Sequence, residues 1–420
     1  MNLAALVLFA GIELVAPRNG ETVEQLWPNV KAFLDLPREA RRQNGLNLTK
    51  EQRRKYRGCD DAKPVEFRWT GDTDGTYTLK VSRVPDGKVF VETVVTGCTA
   101  QVKGRLEVAR AWKWSVSDGR ESAEGTFRTE DHAPRIISFE GVRNARDLGG
   151  WIGLGGRRVK QGMVLRTGGL NFNAEYEYYT HGEIREMFKA GNLKGAGVGV
   201  NGKRVNASQW SDKYIRQLEK GETLDKRVRL IKAGPTEPGK ERLTASDLDY
   251  LLGFWKVQSD LDLRGDWETF GMLVSPLGKD VDYYHFETLD NYGRINTPVG
   301  RATQALNLSV FMKKESYPID FHCIGGTDRT GTLAYLLNAF LGVNEEDLIR
   351  DYEMSFITGG GVDKQHYGWL QEMVNAVRSL PGETLADKMW GYYLSLGYTA
   401  EQLTKLRERL LEPEISEIKK

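Results

Sequence analysis

The sequence predicts a small all-β sandwich followed by an α/β domain with a largely parallel central sheet flanked by helices. Three observations carry that expectation. At 420 residues the chain is longer than one hydrophobic core ordinarily supports, so at least two domains are expected. Between Pro64 and Glu130, short runs of alternating apolar and polar residues are separated by GDTDG, PDG, TG and SDGRES, the punctuation of an antiparallel sandwich. Beyond residue 134, strand-like runs are separated by stretches of helical periodicity, the order of an α/β domain.

Taken in chain order, the first apolar stretch, LAALVLFAGI at Leu3 to Ile12, has the length of a secretory h-region, with a first strand running into IELVAP as the alternative. An export signal implies a periplasmic or secreted protein, and the alternative a cytoplasmic one. Residues 11–131 are read as the sandwich, with a charged helical insertion at 22–56. Its strands are PVEFRW, YTLKVSRV, KVFVETVV, LEVARAWKWSV and GTFRT. The string AWKWSVSDG followed by SAEGTFRT resembles the closing strands of fibronectin type III domains, which implies support, or docking of another protein, rather than chemistry. Trp112 and Trp114 are assigned to packing, because an alternating pair turns one face of a strand inward. Cys59 and Cys98 can pair or remain free core thiols, and either choice leaves Cys323 unpaired.

The α/β domain is placed at 134–420, with a polar insertion at about 171–242. Its strands are WKVQSDLDLR, VDYYHFE and YPIDFHC. Inside the insertion, GVGVNG at 197–202 matches a dinucleotide glycine pattern, but lacks the strand before and the helix after that such a site needs. Arg204 stands where a nucleotide P-loop needs Ser or Thr, so a loop or hairpin turn is expected. Five histidines are scattered without ligand spacing, so no metal or other cofactor is expected. A net charge of +1 gives no field for nucleic acid or anionic membrane, and any anion recognition must be local.

Chemistry concentrates in FHCIGGTDRTG, residues 321–331. YPIDF reads as a buried strand, Gly325 and Gly326 permit a tight turn, and TGTLAYLLNAF opens a helix that stops at Gly342. A strand, a five-residue turn and a helix N-terminus aim successive amides into one concavity that fits a phosphate. Ile324, Gly325, Gly326, Thr327, Asp328 and Arg329 are the expected phosphate-binding residues, with the planar fork of Arg329 able to hold two oxygens. The same field favours Cys323 as a thiolate nucleophile, and Thr330 can donate its hydroxyl to that sulfur. His322 is read as structural, since a thiolate needs no base.

HCIGGTDRTG resembles the signature loop of cysteine-dependent protein tyrosine phosphatases, in the bacterial branch with Asp-Arg-Thr-Gly. VRNARDLGG at 142–150, VLRTGGL at 164–170, DLRGDWE at 262–268 and DYEMS at 351–355 resemble segments of that branch in the same order. The resemblance covers roughly 134–411. It implies an α/β cysteine-phosphatase fold, a phosphorylated substrate and two-step displacement through a phosphocysteine on Cys323, with Arg329 stabilising the transferring group. Three aspartates compete for the acid that protonates the leaving group: Asp328 within the loop, Asp290 ahead of the nucleophile strand, and Asp262. Asp262 can equally hold Arg264 in a buried ion pair. Arg146 and Asp147 are read as a structural pair bracing a turn. The branch often carries lysine where this chain has Thr327, which weakens the case for polyanionic head groups. A phosphoinositide or phytase-like inositol-phosphate phosphatase is the nearer rival, and a phospho-ligand binding protein without turnover the more distant one.

Overall fold

The computed structural model describes residues 11–46, 61–170, 176–178, 198–200, 203–205, 229–231, 243–269, 275–278, 280–286, 294–358 and 364–413. The chain forms two compact units, the first made of Met1–Lys31 and Asp61–Ser138, the second of Ala32–Asp60 and Phe139–Lys420.

The first unit holds two sheets. One runs β1 (Leu14–Ala16), β3 (Val65–Trp69) and β6 (Thr99–Val102). The other runs β2 (Glu21–Val23), β8 (Ser122–Thr129), β7 (Ala111–Ser117), β4 (Thr76–Val84) and β5 (Val89–Thr96). Strand β3 alternates strictly, burying Val65, Phe67 and Trp69, and Trp112, Trp114 and Val116 of β7 turn to the same interior. Phe67 meets Trp114 and Phe127 edge-on at 5.1 and 5.6 Å. Both tryptophans are therefore core, each contributing on the order of 3 kcal/mol or more. The run LEVARAWKWSV is not one strand. Ala109 has φ 56°, a left-handed conformation that ends the extended run, and β7 begins two residues later. Cys98 is a free thiol that donates to the Asp72 carbonyl, so it is not bridged to Cys59, which lies outside the described residues.

Two helices, α1 (Pro28–Leu34) and α2 (Arg38–Leu46), lie where a helical insertion in the sandwich was expected. The structure corrects that assignment, because Ala32–Asp60 belongs with the second unit. The reason is specific packing: Arg41 is fully buried against Glu353, and the chain at Gly45 leaves no room for a β-carbon beneath Phe356. The leader-like stretch falls largely on residues 1–10, outside the described residues. Among the described residues, no helix is long and apolar enough to cross a membrane.

The second unit is built on a seven-stranded sheet. Its strands are β9 (Arg146–Asp147), β10 (Val164–Thr167), β12 (Val198–Val200), β13 (Lys203–Val205), β15 (Ser259–Asp262), β16 (Asp282–Phe286) and β17 (Ile319–His322). The order is β13-β12-β16-β15-β17-β10-β9, with the four inner pairings parallel and the two outer ones antiparallel. Val198–Val200 of GVGVNG form β12, paired antiparallel with β13, so these residues are strand and not a nucleotide loop, and the rest of the motif lies outside the described residues. Strands β11 (Tyr176–Tyr178) and β14 (Arg229–Ile231) pair with each other, and the remainder of the 171–242 stretch lies outside the described residues. Short helices α3 (Ala245–Asp249) and α4 (Asp266–Thr269) precede and follow β15. Beyond β16 come α5 (Pro298–Phe311), α6 (Asp328–Phe340), α7 (Glu345–Glu353), α8 (Lys364–Arg378), α9 (Leu385–Ser395) and α10 (Ala400–Leu410). Helix α6 is buried at every position from Thr330 to Phe340, so it is a central helix rather than an amphipathic one. It follows β17 after a five-residue turn, which places residues 323–327 at the carboxyl end of the parallel strands, where open α/β sheets bind ligands.

Candidate active site

Residues 323–327 are shaped by what holds their carbonyls. The Ile324 carbonyl accepts from the Gly169 amide at 2.8 Å, that of Gly325 from Asn144 Nδ2 at 2.9 Å, and that of Gly326 from Arg166 Nη2 at 2.8 Å. In a trans peptide the carbonyl and the following N–H point oppositely. The amides of Gly325, Gly326 and Thr327 therefore face away from these anchors, into the concavity that ends at the N-terminus of α6. Gly326 has φ 67°, and a β-carbon there would lie 2.6 Å from the Thr167 carbonyl oxygen, so only glycine makes the turn. The anchors come from the quoted motifs: Asn144 from VRNARDLGG, Arg166 and Gly169 from VLRTGGL. Asp351 of DYEMS holds both arginines, taking Arg146 Nε at 2.8 Å and Arg166 Nη1. Arg146 thus braces the site through Asp351 rather than by pairing with Asp147, whose carboxylate accepts from the Gly149 and Gly162 amides.

Arg329 closes the turn. Its Nη2 donates to Glu268 Oε1 at 2.8 Å and its Nη1 to Oε2, while Glu268 Oε2 also takes the Gly265 amide at 2.6 Å. The fork is fixed by a nearly buried carboxylate from DLRGDWE. The sequence signal for Glu268 was its place in that motif, but no spacing rule assigned it a partner. Glu268→Gln removes the charge and one of the paired acceptors. It is expected to lower kcat/KM for an aryl phosphate by about 10- to 100-fold, the range for losing a charge-assisted bond. Steady-state kinetics with an unchanged far-UV spectrum is the check.

Beneath the turn lies a buried charge network. Asp260 stands opposite Asp320 and Asp262 opposite His322 on adjacent parallel strands, so all four project from one face. His322 Nε2 is 3.0 Å from Asp260 Oδ1, and the Asp262 carboxylate accepts from Arg264 and, at 2.9 Å, from the Tyr283 hydroxyl. Burial opposes charge on His322, but Asp262 and Asp260 outweigh it and push the imidazole up to about 9. Burial pushes Asp320 up to about 7, and burial of Asp262 is overcome by Arg264 and His322, which hold it well below the usual range. Both groups with raised values favour the protonated folded state. The contribution of His322 is complete below 6.5 and disappears as pH rises through about 9. Stability is accordingly expected to fall by about 3 kcal/mol between roughly pH 7 and 10. Denaturant melts across that range test this, with Asp260→Asn shifting the alkaline fall to lower pH; a flat profile contradicts it.

The candidate residues are distributed as follows. Cys323 is 3% exposed at the carboxyl end of β17. Thr330 is fully buried and its hydroxyl has no hydrogen-bond partner among the described residues. Asp328 opens α6, its Oδ1 accepting from the Tyr352 hydroxyl at 2.6 Å and its Oδ2 lying 3.4 Å from His366 Nε2. Asp262 is fully buried and tied to Arg264 and Tyr283, an ion pair rather than an acid facing a ligand, which removes it from the acid candidates. Asp290 lies outside the described residues. Ile324, Gly325, Gly326, Thr327, Asp328 and Arg329 form the turn and the first positions of α6.

A thiol next to outward-anchored peptides, with a fixed arginine following them, is an arrangement that can hold a tetrahedral oxyanion. A family model described as the tyrosine phosphatase family matches residues 137–178 and 239–412, over half of the chain, and the chain belongs to that family. The matched segments omit 179–238, within the stretch read as an insertion. A curated relative from Cupriavidus necator, named "Putative tyrosine-protein phosphatase", is 27% identical over 249 residues, covering 57% of this chain and 72% of its own.

Proposed function

We propose that the protein hydrolyses phosphomonoesters, with phosphotyrosine as the substrate class, through a phosphocysteine on Cys323. The observation that supports this most is the outward anchoring of three successive carbonyls of the turn, which commits the intervening amides to an anion. In this reading Cys323 Sγ attacks phosphorus. The phosphoryl oxygens take the amides of 324–328 and the Arg329 fork, and the P–O bond to the leaving group breaks as Asp328 delivers a proton to that oxygen. Water then attacks the phosphocysteine, returning a proton to Asp328 and the thiolate to Cys323. Thr330, buried and without a hydroxyl partner among the described residues, donates to the sulfur when it carries charge.

Thr327 is nearly buried and its hydroxyl reaches toward its own turn at Gly325, 3.4 Å away. The neutral Thr327 stands where a cation would favour a polyphosphorylated head group, which supports a singly phosphorylated substrate over inositol polyphosphates. The fibronectin-like reading of the first unit fits its three- and five-stranded sheets and assigns it a supporting or docking role.

Asp328→Asn discriminates the acid. With a poor leaving group such as unsubstituted phenolate, kcat/KM, which reports the steps up to formation of the phosphocysteine, is expected to drop by about 10²- to 10⁴-fold, whereas p-nitrophenolate, which departs without a proton, is affected far less. Equal losses on the two esters contradict the assignment of Asp328.

A further inference from the structure

Three consecutive residues at the end of α7 hold three different parts of the second unit. Asp351 takes Arg146 and Arg166, and so steadies the turn. Tyr352 gives its hydroxyl to Asp328 at 2.6 Å and lays its ring against Gly331, where an added β-carbon would lie 2.6 Å from the ring. Glu353 points the other way, to α2. It is fully buried, and its Oε2 accepts from Arg41 Nε at 2.6 Å.

Arg41 is likewise fully buried. It pairs with Glu346 at 2.7 Å and donates to the carbonyls of Leu34 and Leu36, which tie it to the bend between α1 and α2. Further contacts fasten the α1 end and α2 to α7, α8 and the residues between them. Arg350 Nε reaches the Leu34 carbonyl, Arg42 lies over the Tyr367 ring at 5.0 Å, and Gly45 abuts Phe356. The groups facing Glu353 are Arg41 and Arg38 from the N-terminal segment and Glu346 from its own helix. Without Arg41 a buried carboxylate loses the cation that donates to it, and it must either take up a proton or move. Because Glu353 adjoins Tyr352 in the last turn of α7, that movement is passed to the hydroxyl on which Asp328 rests.

We propose that Arg41, from a helix that precedes most of the first unit's strands in sequence, is a positioning residue of the phosphatase site. Acting through Glu353, it sets the Tyr352 hydroxyl that orients Asp328 for proton delivery. The inference rests on the reading of Cys323 and Asp328 given above. Its consequence is that the segment 32–46 belongs to the catalytic machinery, although it touches no substrate.

The test uses the full chain and a ratio of two rate constants for the first chemical step: kcat/KM for p-nitrophenyl phosphate over kcat/KM for phenyl phosphate, measured in one preparation, so that the fraction of folded protein cancels. Arg41→Gln is expected to raise that ratio by about 5- to 10-fold over wild type, and Tyr352→Phe to raise it similarly, as loss of part of the proton-transfer advantage. Combined, Arg41→Gln and Tyr352→Phe should raise it no further than either alone. Should Arg41→Gln not accumulate as folded protein, Arg41→Met, which also removes the cation but keeps the buried space filled, is read in the same way. An unchanged ratio in the Arg41 variant, with the ratio raised by Asp328→Asn, overturns the inference and leaves the phosphatase reading standing. An unchanged ratio in Asp328→Asn overturns the role of Asp328 and this inference together. Absence of Cys323-dependent turnover in the wild type overturns the reading itself.

Discussion

Replacing Cys323 by serine is expected to lower hydrolysis of an aryl phosphate by at least about 10⁴-fold, while inorganic phosphate still binds within a few-fold of the wild-type affinity. The asymmetry follows from geometry. Binding is assigned to the amides of the turn and to Arg329, none of which the substitution touches. Turnover requires a strong nucleophile at position 323, and a serine hydroxyl is a far weaker one than the sulfur it replaces. The buried charges nearest Cys323 in the chain do not supply a base to activate it. The His322 ring is directed to Asp260 and is held protonated, so it cannot accept a proton from position 323. Kinetics and an isothermal binding titration on the same preparation check both halves. Retention of more than about one per cent of activity would remove Cys323 from the reaction.

Arg329→Lys is expected to cost about 10³-fold in kcat/KM, with a larger part in kcat than in KM. The fork of Arg329 is fixed by two contacts to Glu268, and Glu268 is itself pinned by the Gly265 amide. A lysine ammonium keeps the charge but loses the planar pair of donors. It cannot satisfy Glu268 and two phosphoryl oxygens together, so charge spreading onto those oxygens in the transition state goes unmatched. The comparison with Glu268→Gln is informative, because that variant keeps the fork and loses only its anchor. A lysine variant with near wild-type kcat would show that a point charge suffices and that the fork has no special task.

The turn at 321–331 was legible in the sequence because its chemistry is local. The strand, the two glycines, the arginine and the helix start lie within eleven consecutive residues, and each has a conformational reason for its place. The supports were legible only as motifs. Asn144, Arg166, Glu268 and Asp351 lie 61 to 205 positions from the groups they hold, and no periodicity reports a contact at that range. Asp260 and Asp320 carried no assigned role in the sequence. Parallel strands in this sheet are covered on both faces, so the same residues became a buried network with His322. Helix α2 misled for a different reason: it lies between strands of the first unit, and chain order assigned it there until Arg41 and Gly45 were seen against Glu353 and Phe356. The strand boundary at Ala109 depends on one left-handed residue that carries no glycine to announce it.

The central claim, that a phosphoryl group passes through Cys323, is tested most directly by rapid quench. Wild-type protein is mixed with p-nitrophenyl phosphate, whose fast first step lets the intermediate accumulate, stopped within milliseconds, digested and read by mass spectrometry. The account predicts a phosphoryl group on the peptide containing Cys323, formed as fast as p-nitrophenolate first appears and absent in Cys323→Ser. Continued turnover with that peptide unmodified, or with the phosphoryl group on another residue, would contradict it.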